Sequence, residues 1–145
     1  MLLTGKIKMA TKKGWYFAPP KKPKGKKLNI TEKSEIEEVF KKKIDFINKK
    51  ISEQQKTIDI NYIDEVFLSW YRSFLYVCCR HVRLDGQVTE SKMGRICFHD
   101  NGTASTAYMR HTQQWWTINE NLSFEDATKE VLNNEVYWGL IGIHH

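Results

Sequence analysis

Asn101-Gly102 is the feature that most narrows what this chain can become. The pair separates Gly94 to His99 from Thr103 to Arg110, and Asn-Gly supplies the positive φ angles of a type I′ turn. The pattern predicts an antiparallel hairpin in which Asp100 pairs with Thr103, Phe98 with Ser105 and Ile96 with Ala107. Ile96, Phe98, Ala107 and Met109 then share the core face, because side chains alternate along a strand. Upstream, the density of Val, Ile, Phe, Tyr and Trp from about Val66 to Arg83 reads as a strand with room for a bulge. Ile63, Phe67, Trp70 and Phe74 in the same stretch also fit a helical spacing. Downstream, Trp115 to Ile118 adds a further short strand.

Two amphipathic segments flank these strands. From about Ser34 to Ile51, Ile36, Phe40, Ile44, Ile47 and Ile51 recur at intervals of three and four, and Ser34 and Glu37 have capping-box spacing. The opposite face is charged, with Glu38 four residues before Lys42 and Asp45 four before Lys49, the arrangement of a solvated face with intrahelix pairs. A second helix begins at Ser123, with Glu125 and Asp126 in its first turn and Phe124, Ala127, Val131 and Leu132 as its buried side. The fold class is therefore α+β: an antiparallel meander of three to four strands between an N-terminal and a C-terminal helix. Beyond the second helix, Tyr137, Trp138, Leu140, Ile141 and Ile143 form an apolar end that must pack on the domain or on another chain.

Charge divides the chain sharply. Residues 1 to 27 hold nine lysines and no acid, and removing those nine from the 23 bases leaves 14 against 17 acids, so residues 28 to 145 sum to −3. All three prolines fall at Pro19, Pro20 and Pro23, where they prevent a regular ladder and favour extended backbone. Residues 1–27 thus read as a basic extended arm and 28–145 as one α+β domain, within the size of a single core. A basic arm on a mildly acidic body suits an anionic partner. Trp15-Tyr16-Phe17 within the arm is either an anchor that folds back on the domain or an element that stacks on a partner. Met9 offers an alternative start, and His144 and His145 close the chain.

Cys78, Cys79 and Cys97 make an odd count behind an N-terminus with no apolar secretory stretch, which points to reduced thiols and a cytoplasmic location. No run reaches the eighteen or so apolar residues of a membrane span. Cys79, His81, Cys97 and His99 form two Cys-x-His pairs that could meet across neighbouring strands as zinc-type ligands, although their spacing matches no standard zinc motif, and no metal is assigned. Tyr108-Met109-Arg110-His111 followed by Trp115-Trp116 gathers a cation, an imidazole and indoles at a strand end, a set suited to a phosphate or a base. Phosphate-cradling glycine loops, nucleophile elbows and His-Glu-x-x-His are absent.

The element order resembles that of the double-stranded RNA-binding domain over roughly residues 34 to 133. That family carries a lysine-rich motif at the start of its last helix, and this chain has Ser123-Phe124-Glu125-Asp126 there, so no residue is carried over. The expected function is a non-catalytic binding module for an anionic partner, nucleic acid first, with Lys12, Lys13, Trp15, Tyr16, Lys21, Lys22, Arg110, His111 and Trp115 as contacts. No catalytic residue or cofactor is assigned. One alternative is a protein-interaction or homo-oligomerisation domain acting through Tyr137 to Ile143; another is a small phosphodiesterase built on His111 and Arg110.

Overall fold

The computed structural model describes residues 23–54 and 62–139. Within them the chain runs α1 (Ile30–Glu53), β1 (Tyr62–Tyr71), β2 (Phe74–Val82), β3 (Val88–Phe98), β4 (Thr103–Met109), β5 (Trp115–Ser123), α2 (Phe124–Asn133) and a closing 3-10 turn (Glu135–Trp138). The strands form one antiparallel sheet in the order β1-β2-β3-β4-β5. The α+β class and the two flanking helices stand.

Five strands replace the expected three to four because the stretch from Val66 to Arg83 is two strands, not one. Tyr71 pairs with Phe74, leaving Arg72-Ser73 as a two-residue turn with Arg72 at φ +54°. It contains no Gly, Asn, Asp or Pro, and Ser73, the weaker of the turn-forming types, is its one sequence signal. The next turn does carry a signal, Asp85-Gly86, and it starts β3 at Val88, well before Gly94. Five strands also depart from the element order that resembled the double-stranded RNA-binding domain.

Three of the four hairpins close the same way. Arg83 donates to Gln87, His99 to Thr103 and Arg110 to Gln114 through backbone N–H···O bonds of 2.8–2.9 Å, each spanning a three-residue loop. The third loop residue has positive φ in every case: Gly86 at +83°, Gly102 at +86° and Gln113 at +68°. This is a type I turn followed by a left-handed residue, one residue longer than a type I′ turn. The register of β3 and β4 therefore slips by one from the sequence expectation: Phe98 pairs with Ala104 and Ile96 with Thr106. A slip of one moves every side chain of β4 to the other face. Thr106 enters the core, 1% exposed, while Ala107 and Met109 lie on the face opposite Ile96 and Phe98.

Helix α1 begins a turn earlier than Ser34. Asn29 Oδ1 accepts from the Glu32 amide at 2.8 Å and Glu32 Oε1 accepts from the Asn29 amide at 3.1 Å, a complete capping box. Glu37, the expected capping partner, instead accepts from Trp70 Nε1 at 2.6 Å. Asp45 pairs with Lys41 at 3.5 Å rather than with Lys49. Phe40, Ile47 and Ile51 face inward, as the spacing predicts. Ser123 caps α2 by accepting from the Asp126 amide at 3.0 Å, as read from sequence.

Both helices cover one face of the sheet. Val66, Leu75, Val77, Cys79, Ile96, Phe98 and Ala104 present that face, and Phe40, Ile47, Ala127 and Val131 meet them. Phe98 lies edge-on to Phe124 at 4.9 Å and tilted to Trp70 at 5.9 Å. The 3-10 turn completes the core: Tyr137 and Trp138 are fully buried, and Trp138 Nε1 donates to the Val131 carbonyl at 2.7 Å. Gly94 makes room for it, since a Cβ there would stand 2.6 Å from the Tyr137 carbonyl oxygen. Lys43 joins the helices, donating to the Leu132 carbonyl at 2.8 Å and to Glu135 at 3.1 Å, with its ammonium 4.8 Å from the Trp138 ring centroid. That cation sits at the negative end of α2.

The β1 edge is capped at Val66 by a single side chain. Asn48 of α1 donates Nδ2 to the Val66 carbonyl at 2.9 Å and accepts from the Val66 amide at 2.7 Å, so a side-chain amide pairs with the strand as a neighbouring strand would. The segment entering α1 also joins the sheet. Lys26 donates to the Phe98 carbonyl and Asp100 to the Lys24 carbonyl, both at 2.8 Å, making a bridge between Gly25 and His99. The last residues of the stretch read as the arm are thus held by β3. Among the described residues no helix is long and apolar enough to cross a membrane.

Candidate functional site

The sheet face turned away from the helices has a different chemistry. Register places Glu65, Phe67, Ser69 and Tyr71 of β1 beside Arg80, Cys78, Tyr76 and Phe74 of β2, and these beside Glu90, Lys92, Arg95 and Cys97 of β3. Ser105 and Ala107 of β4 and Trp115 and Thr117 of β5 complete the face. Rings and cations interleave along it. The Arg95 guanidinium stands 4.3 Å from the Trp115 ring centroid and 4.9 Å from that of Phe74, so it lies across two aromatic strands' ends at once. Phe74 and Tyr76 stack at 5.7 Å, Tyr76 reaches Trp115 at 5.8 Å, and Lys92 caps Tyr76 at 5.0 Å.

Charge is balanced at one end of this face and not at the other. Arg80 lies over Phe67 at 5.4 Å and is bonded to Glu65, with Glu90 at 3.4 Å. Among the described residues no carboxylate pairs with Arg95 or Lys92. The result is a patch of aromatic rings and uncompensated positive charge over β2, β3 and β5, bordered by the small side chains Ser105, Ala107 and Thr117. Such a surface can stack a planar group on the rings or the guanidinium and hold an anion beside it.

Trp115, a sequence candidate, belongs to this patch; Arg110 and His111 do not. Tyr108 pairs with Trp116, so those two side chains share the helix-covered face, and the Arg110 guanidinium sits 4.5 Å from the Trp116 ring. Arg110 and His111 border a separate recess of about 600 Å³ with Tyr108, Met109 and Glu135, and His111 is exposed at the hairpin tip. Lys12, Lys13, Trp15, Tyr16, Lys21 and Lys22 lie outside the described residues. Arg95, Lys92, Phe74 and Tyr76 were not among the sequence's site candidates. Alternation of Phe74, Tyr76 and Cys78 was a usable signal, but only the register sets Arg95 beside Tyr76.

The cysteine–histidine pairs do not converge. Cys79 pairs with Ser91 on the helix-covered face, whereas Cys97 pairs with Phe74 on the open one. Among the described residues no three His, Cys, Asp or Glu side chains gather as a metal site. Cys79 Sγ lies 3.1 Å from His81 Nε2, but burial pushes its thiol up to about 11, which keeps it protonated and unreactive at neutral pH. Burial likewise raises Cys78 to about 11, outweighing the opposing pull of Lys92. A buried polar chain links Thr106, whose Oγ1 lies 2.8 Å from Tyr137 Oη, to Glu130, which accepts from Tyr137 at 3.0 Å. Burial, with Glu130 adding to it, raises the Tyr137 phenol to about 12, so this chain is structural, joining sheet, α2 and the 3-10 turn. Tyr137 and Trp138 are fully buried within their own domain and are removed as docking residues; Leu140 to Ile143 lie outside the described residues.

No family model, curated protein or solved structure matches the chain.

Proposed function

We propose that the protein is a non-catalytic nucleic-acid-binding module that lays a single strand across the open sheet face, with the basic arm supplying further phosphate contacts. The observation that carries this reading is Arg95, unpaired with any described carboxylate and lying on Trp115 and Phe74. Single-stranded bases stack on aromatic rings and on guanidinium planes, and an open antiparallel sheet offers both side by side. Lys92 adds a second cation on the same patch. The nine lysines of residues 1–27 raise the positive charge available to the phosphates. A cytoplasmic location fits the same reading, since Cys78, Cys79 and Cys97 are all free thiols.

The test is fluorescence anisotropy of full-length protein with labelled single-stranded RNA, single-stranded DNA and duplex across a salt series. Single strands are expected to bind more tightly than duplex, with Arg95→Ala weakening them about ten-fold or more, the scale of one lost stacking contact. Absence of binding to any of the three, or Arg95→Ala and Trp115→Ala variants that bind as the parent does, would overturn the proposal.

A further inference from the structure

Between α1 and α2, on the side away from the open face, lies a groove of about 340 Å³ whose floor is apolar and whose rim is acidic. Leu28, Ile36, Val39 and Phe124 line it, with Glu32, Glu35, Glu125 and Lys129 around them, three carboxylates to one ammonium. Val39 is 46% exposed although it sits between two packed helices. Glu32 and Glu125 have ion-pair partners in Lys26 and Lys129, at 3.6 and 3.2 Å, whereas Glu35 has none among the described residues. An apolar floor inside a carboxylate rim selects a segment that combines large apolar side chains with flanking positive charge.

The chain carries one such segment: Trp15-Tyr16-Phe17, with Lys12 and Lys13 before it and Lys21 and Lys22 after it. It lies outside the described residues, which begin at Pro23, five positions before the groove-lining Leu28. Lys24 to Lys26 are held against β3, which fixes where the preceding chain leaves the domain. Five residues separate Phe17 from Pro23, and the six Cα-to-Cα steps between them span up to roughly 20 Å when extended. A tether so short keeps the segment at an effective concentration on the order of millimolar, so even weak complementarity suffices.

We infer that the groove between α1 and α2 is the docking site of the chain's own Trp15-Tyr16-Phe17 segment, with a neighbouring lysine facing Glu35. The inference does not rest on nucleic-acid binding, because the groove is a different surface from the Arg95 patch; the two readings share only the lysines of the arm, which a docked segment would hold at the groove. Burial of the aromatic triplet accounts for three large rings in an otherwise polar stretch, and the acidic rim accounts for their lysine flanks.

Hydrogen exchange of the full-length protein tests it, comparing backbone amides of residues 15–17 with the same sequence as a free peptide. Expected are exchange at least ten-fold slower than in the peptide, the same at low and high protein concentration, and return to the peptide rate in Val39→Lys. Val39 is partly exposed, so that change leaves the core intact; Glu35→Lys, fully on the surface, should lower the protection in the same direction. Peptide-like exchange in the parent protein would overturn the inference. So would protection that persists in both variants, which places the segment elsewhere, or protection that fades on dilution, which makes the occupant a second copy's arm.

Discussion

The two faces of one sheet differ in chemistry. On the helix-covered face, Val66, Leu75, Val77, Ile96 and Phe98 are aliphatic or aromatic, uncharged and closed over by α1, α2 and the 3-10 turn. On the other, rings of similar size alternate with Arg80, Lys92 and Arg95, and among the described residues these cations and the neighbouring rings are what cover Tyr76 and Cys78. Both faces are well ordered by contacts, but the first stabilises by removing apolar area from water and the second by weaker, directional cation–π contacts. In the proposed function the face away from the helices is the working surface, with Arg95 and Lys92 as its cations.

The sharpest way to break the comparison is a matched pair of truncations. Phe98→Ala is expected to cost about 3–5 kcal/mol, because a fully buried ring touching Trp70 and Phe124 leaves a cavity. Trp115→Ala, on the half-covered face, is expected to cost far less despite the larger ring; equal losses in denaturant unfolding would mean that the open face is a second core. Next in size is Asn48→Ala, which strips the Val66 amide and carbonyl of their partner at the β1 edge. The expected loss is about 1–3 kcal/mol, with faster hydrogen exchange at Val66 while β3 amides are unaffected.

The paired thiols sharpen the comparison further, since Cys79 points to the helices and Cys78 to the open face, yet burial raises both to about 11. Each is more firmly protonated folded than unfolded. Its contribution is therefore intact below the unfolded thiol's pKa near 9 and is lost as pH rises toward 11. Denaturant unfolding under reducing conditions should show stability falling above pH 9 by roughly 1.4 kcal/mol per pH unit for each thiol. Cys78→Ala and Cys79→Ala should each flatten that slope; a Cys78→Ala variant with the parent slope would show the open face to be wet beneath Lys92. The smallest effect is expected at the β4–β5 hairpin, where Gln113 holds a left-handed conformation that Gly86 and Gly102 take in the two matching loops. Gln113→Gly should raise stability by about 0.5 kcal/mol, relief of the left-handed cost being partly offset by added chain entropy.

How legible this was in sequence varied with how local the cause is. The capping serine of α2, the inward stripe of α1 and the existence of a β3–β4 hairpin follow from a few consecutive residues, and all three stand. The register of that hairpin did not, because Asp100-Asn101-Gly102 can close as a two- or three-residue loop and the choice is made by what each register buries. The three-residue form brings Thr106 to Tyr137, inside a hydrogen-bonded chain. The turn at Arg72-Ser73 gave little signal because tertiary contacts impose it: the Ser73 carbonyl accepts from the Phe98 amide at 3.0 Å and its hydroxyl donates to the Lys26 carbonyl at 2.9 Å.

The candidate site divides along the same line. Trp115 was visible as an aromatic at a strand end, whereas its cation is not the neighbouring Arg110 but Arg95, twenty residues away and two strands across. By itself the sequence determined the α+β class, the positions of both helices and the concentration of positive charge in residues 1–27, because periodicity, capping and composition act over short stretches of chain. Tertiary structure alone decided which rings meet which cations, which face the described helices leave uncovered and where Asn48 pairs with β1. Those outcomes depend on register and packing between distant segments, where a shift of one residue exchanges the two faces of a strand.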